Sequence, residues 1–127
     1  MGIKIVRPQD CHFEKIERIT SADVRWCVPI PDDEVPGDMS VGFWKQQGGP
    51  YETSYTWDEV TYVIDGPIEM ESEGQKYVAN TGDVIIAPKG SKFTLGNKDS
   101  HFAALFVTFP HMMEALAERE RQKEEAK

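Results

Sequence analysis

GDVIIAPKGSKFTLGN, Gly82 to Asn97, is the stretch that decides the fold. Gly82 turns the chain, DVIIA is an apolar run short enough to cross a core as one strand, and Pro88-Lys89-Gly90 reverses direction before KFTL sets off again. Upstream, EVTYVIDG (Glu59 to Gly66) is a second strand that ends on a glycine turn. Short apolar runs broken by Gly, Pro, Asn and Asp continue on both sides, which is the spacing of an all-β sandwich or barrel. The expected strands are Ile3–Val6, Val24–Val28, Met39–Lys45, Thr53–Tyr55, Glu59–Asp65, Ile68–Ser72, Gln75–Ala79, Asp83–Ala87, Lys92–Leu95 and Phe102–Phe109. Gly74 sits between two of them where a tight hairpin needs a residue tolerant of positive φ. The connections in this half are too short for a crossover helix, so the sheets are expected to be antiparallel. PIPDDEVPGD, residues 29–38, reads as a loop.

Gly82, Pro88, Gly90 and Asn97 occupy four of the five fixed positions of the pattern G-x5-P-x-G-x2-H-x3-N, with Phe93 in place of the histidine. Glu59 and Gly66 match the end of its companion, G-x5-H-x-H-x3,4-E-x6-G. On these residues the chain resembles the cupin superfamily, and YVIDG, GDVIIAPKGS and FVTFP make it similar to the small, metal-poor cupins of the EutQ type. The resemblance covers roughly residues 40 to 110. It implies a double-stranded β-helix, an antiparallel jelly-roll barrel, commonly dimeric, with its site inside the barrel. One domain is expected overall: residues 1–38 pack on the barrel as strands and an acidic, proline-containing loop, 39–110 form the barrel, and 111–127 form a short, charged C-terminal helix.

Carried over by position, the family's metal ligands reduce to Glu59. With the three-residue spacing, Thr53 and Tyr55 stand where the histidines belong, and Phe93 replaces the third. Hydroxyls and a phenyl ring are poor ligands for a borderline divalent ion, so neither a metal nor another cofactor is expected. The histidines, His12, His101 and His111, are scattered; His101 opens the last long strand, and an atypical metal site using Glu59 and His101 stays open. So does its other reading, a strand-end histidine half in solvent.

The lumen that the resemblance implies has Thr53, Tyr55 and Glu59 on the inner face with Phe93 opposite. Trp44, Tyr51, Trp57 and Tyr62 lie in or beside the same strands. A carboxylate walled by aromatic rings loses hydration, which raises its pKa toward values useful for proton transfer. Glu59 is thus the candidate acid/base and Tyr55 its orienting hydroxyl. Trp44, Tyr51, Thr53, Trp57, Phe93 and His101 are the candidate ligand-binding residues. The plainer reading of alternate aromatics in strands is sandwich core. Three functions follow: a metal-independent isomerase- or lyase-type enzyme acting on a small organic molecule, a non-catalytic accessory module, or, by resemblance alone, the acetate kinase activity associated with ethanolamine-utilisation relatives.

Composition narrows the partners. The 127 residues carry 22 acidic against 14 basic side chains, a formal net charge of −8, with a pI near 4.8. Such a surface repels nucleic acid and anionic lipid. Cys11 and Cys27 are the two cysteines, too few for a disulfide framework or a zinc motif. MGIKIVRPQD has no apolar h-region and no run approaches the length of a membrane span. A cytoplasmic homodimer that binds a small organic ligand, and neither nucleic acid nor membrane, is the expectation.

Overall fold

The computed structural model describes residues 2–30, 34–35 and 37–111. The strands are β1 (Glu14–Lys15), β2 (Asp23–Cys27), β3 (Ser40–Gln47), β4 (Tyr51–Ser54), β5 (Asp58–Asp65), β6 (Ile68–Ser72), β7 (Gln75–Ala79), β8 (Val84–Ala87), β9 (Lys92–Leu95) and β10 (His101–Phe109). They form two antiparallel sheets, one in the order β1-β2-β3-β10-β5-β8 and the other β4-β9-β6-β7. The sheets lie face to face as a jelly roll. The C-terminal helix expected beyond Pro110 falls in 112–127, outside the described residues.

Period-two patterning builds the core. Along β10 the buried positions are Phe102, Ala104, Phe106 and Thr108, and along β5 they are Glu59, Thr61 and Val63. The intervening residues point outward, as alternation across a pleat requires. Ile68 and Leu95 close the core from the other sheet. Gln46 ties the two sheets together: its Nε2 donates to the carbonyl of Leu95 at 3.2 Å and to that of Gly48 at 3.0 Å. Gly42 is required by close approach, since a Cβ there would stand 2.5 Å from Phe106 Cζ and 2.6 Å from the Cys27 carbonyl oxygen.

The turns read from the sequence hold the strand ends. Between β6 and β7 the two-residue loop is Glu73-Gly74, with φ of 51° and 77°; two positive values are what a type I′ hairpin demands. The rim turn after β8 is fastened by Asp58, whose Oδ1 accepts from the Lys89 amide at 2.7 Å. Asn97 holds the end of β9 by accepting from the Asp99 amide and donating to the Glu69 carboxylate.

The N-terminal region differs from the expectation. Ile3–Val6 is not a strand, and Ile3 is 98% exposed. An apolar run becomes a strand only when a neighbour offers a ladder, and both edges of β2 are taken, by Glu14-Lys15 on one side and β3 on the other. Cys11 and Cys27 are free thiols. Burial, with Cys11 alongside, pushes the Cys27 thiol up to about 11. Among the described residues, no helix is long and apolar enough to cross a membrane.

Candidate functional site

Glu59 enters the interior because it shares the inward parity of β5 with Thr61 and Val63. It is only 5% exposed. Its Oε1 accepts from Trp57 Nε1 at 3.1 Å and its Oε2 from Thr61 Oγ1 at 3.1 Å. Thr61, two residues after Glu59 in β5, shares its face by parity, and Trp57, two residues before it, reaches the acid from the bend that precedes the strand. The Tyr55 hydroxyl is a third hydrogen-bonding partner. Burial raises the Glu59 pKa above its ordinary 4.5, while the three partners pull it down; desolvation is the larger effect. Desolvation also raises Tyr55 well above the usual phenol value, and the nearby Glu59 adds to this.

Aromatic rings enclose the carboxylate. Tyr55 stacks on Trp57 with centroids 4.9 Å apart and meets Phe93 edge-on at 4.9 Å. Two cavities border Glu59. The larger, of about 520 Å³, lies between the sheets and reaches β7 and β8, with Trp44, Tyr55, Thr61 and Phe93 in its lining. The smaller, of about 320 Å³, lies toward β2 and β4 and is lined by Arg18, Tyr51, Thr53, Trp57 and Trp44 among others. Tyr51 is half-buried, and burial raises its pKa. Trp44 borders both cavities and is 8% exposed, yet its Nε1 has no hydrogen-bond partner among the described residues.

Of the residues singled out in the sequence, the structure gathers Glu59, Tyr55, Trp44, Tyr51, Thr53, Trp57 and Phe93 around these two cavities. His101 stands apart. It shares the outward parity of β10, is exposed, and pairs with Gln47, whereas Glu59 pairs with Thr108 at the other end of the strand. Seven residues separate those positions, about 23 Å of strand. The metal site using Glu59 and His101 is thereby corrected, since the two cannot share an ion. Among the described residues no group of three or more His, Cys, Asp or Glu side chains comes together to hold one. The donors at the cupin ligand positions (Thr53, Tyr55, Glu59 and Phe93) do not fit a transition metal.

Several contributors escaped the sequence reading. Thr61 is reachable by parity, because a residue two beyond an inward glutamate also points inward. Trp57 reads as apolar wall, but it is a hydrogen-bond donor as well. Arg18 and Asp83 border the cavities as well; Arg18 lies in a segment that carries no motif, and Asp83 stands at a position that the Gly82–Asn97 pattern leaves free.

The chain is similar to known proteins along most of its length. Residues 1–114 match a family model described as ethanolamine utilisation protein EutQ. "Acetate kinase EutQ" of Clostridioides difficile (strain 630) is 38% identical over 109 residues, covering 86% of this chain and 69% of the relative. The protein of the same description from Escherichia coli (strain K12) is 31% identical over 119 residues, 91% of this chain; the chain spans about half of that relative, 48%. The solved structure of the Clostridium difficile EutQ protein superposes with a TM-score of 0.66 at 28% identity, over 72% of this chain and 65% of that one. The architecture is the cupin barrel.

Proposed function

Because the chain belongs to the EutQ family of ethanolamine utilisation proteins, we propose that its barrel binds a small organic molecule of that metabolism and that Glu59 moves a proton on it. The observation that carries this reading is a carboxylate 5% exposed, at the border of two cavities, ringed by aromatic side chains. Sandwich cores rarely bury an acid, and a glutamate whose pKa is raised by desolvation suits acid/base work near neutrality. Tyr55 orients the carboxylate, and Trp44, Trp57 and Phe93 exclude water around it. The chemistry is of isomerase or lyase type, with no metal.

The acetate kinase description belongs to longer proteins. It finds no support in the larger cavity, where the charged side chains among the described lining residues are Glu59 and Asp83, which repel phosphates. An accessory module would use the same cavity without turnover.

The experiment screens small metabolites of both charges and of none against the wild type, following the Trp44 and Trp57 indole N–H resonances, and then assays binders for conversion. Glu59→Gln should fold like the wild type, because an amide can accept from Trp57 and donate to Thr61, and it should lose turnover. Conversion by Glu59→Gln at the wild-type rate removes the acid/base assignment. Saturable binding without conversion by either protein selects the accessory module. The absence of any binder overturns the site.

A further inference from the structure

The lining of the larger cavity says which chemical class it accepts, given that the barrel is a ligand site as proposed above. Its charged side chains among the described residues, Glu59 and Asp83, are both acidic. Arg18 belongs to the smaller cavity on the other side of the carboxylate. An anion entering the larger cavity therefore meets only like charge, and a neutral molecule leaves the carboxylate without a counter-charge. A carboxylate offers about four acceptor positions. Trp57, Thr61 and Tyr55 account for three at Glu59, which leaves room for one further donor. Trp44, Tyr55 and Phe93 border the same space, and aromatic faces attract a cation most strongly where water is excluded.

Trp44 adds a second requirement. Its Nε1 is a buried donor without a partner among the described residues, an arrangement that costs stability until an acceptor arrives. The ring lines the cavity that Glu59 lines, so an oxygen on the bound molecule would supply that acceptor. We propose that the larger cavity takes a small amino alcohol, its ammonium group on Glu59 and its oxygen accepting from Trp44 Nε1. The ammonium offsets the cost of an ionised carboxylate in a desolvated place, which neutral and anionic analogues cannot do.

The test titrates the full chain at neutral pH with probes of nearly equal size: 2-aminoethanol, propylamine, ethylene glycol and glycolate. Binding is read from the Trp44 and Trp57 indole resonances. The expected order is 2-aminoethanol tightest, propylamine next, and ethylene glycol and glycolate weaker than 2-aminoethanol by about tenfold or more, the value of a charged hydrogen bond. Glu59→Gln should erase the preference for the ammonium probes, and Trp44→Phe should bring 2-aminoethanol down to the affinity of propylamine. The selectivity order on the wild type stands even if a variant fails to fold. Glycolate or ethylene glycol binding as tightly as 2-aminoethanol overturns the proposal while leaving the barrel a ligand site. Propylamine equal to 2-aminoethanol on the wild type removes the role of Trp44 and the amino-alcohol class with it. If none of the four probes shifts an indole while other metabolites do, the proposal falls and the wider reading survives; if nothing does, both fall.

Discussion

At Glu59 a burial cost and a set of hydrogen bonds oppose one another, and the balance is readable as a pH dependence. Its folded pKa lies above the ordinary 4.5. Below that ordinary value the acid is protonated in folded and unfolded chains alike, and its neutral form costs the fold little. As pH rises past 4.5 the unfolded chain releases its proton first, so the folded state holds more protons and stability falls until pH passes the folded pKa. Glu59→Gln removes this titration. The urea midpoint of Glu59→Gln minus that of the wild type, measured from pH 4 to 8, should grow with pH from about 4.5 and then level; a flat difference contradicts the raised pKa. The identity of this residue was legible because Gly66 fixes its place in a spaced pattern. Its donors were less so. Neither Trp57 nor Thr61 holds a fixed position of the pattern: the two-residue parity of β5 connects Thr61 to the acid, and Trp57 lies in the bend just before that strand.

Among the elements, strands with a turn signal at each end were readable, and those held by a neighbour alone were not. β6, β7 and β9 run from Ile68, Gln75 and Lys92 to Ser72, Ala79 and Leu95, the bounds that the Gly, Pro and Asn punctuation suggests. β1 has no apolar signal at all; Glu14 and Lys15 are strand because Trp26 and Arg25 lie opposite them. Ile3–Val6 has the signal and lacks the partner. The β6–β7 hairpin gives the sharpest test at this scale. Glu73 holds φ of 51° without being glycine, a left-handed conformation that Asn tolerates better. Glu73→Asn should therefore stabilise the protein by a few tenths to about 1 kcal/mol, whereas Gly74→Ala, at φ of 77°, should destabilise it by about 1 kcal/mol or more. Urea denaturation of both variants measures this, and Gly74→Ala matching the wild type would contradict the turn assignment.

For the molecule as a whole, an excess of acids follows from composition. At a net charge of −8 the compact state repels itself, and salt screens that repulsion. The thermal midpoint should rise as sodium chloride is increased from low concentration to about 0.15 M, where the screening length is about 8 Å; a midpoint that falls over this range would show that attractive pairs dominate. The jelly roll was legible in the sequence, but the shape of its interior was not, because cavity volume depends on how side chains from both sheets meet. The placement of the larger cavity has a kinetic consequence. It reaches β7 and β8, the terminal strands of the two different sheets, joined in sequence by the short Asn80–Asp83 turn and by no ladder among the described residues. A molecule passing between those strands breaks no backbone hydrogen bond of either sheet. Residence time inside the barrel is then set by side-chain rearrangement at an unladdered seam, and variants that make the fold harder to unfold can leave the exchange of its occupant as fast as before.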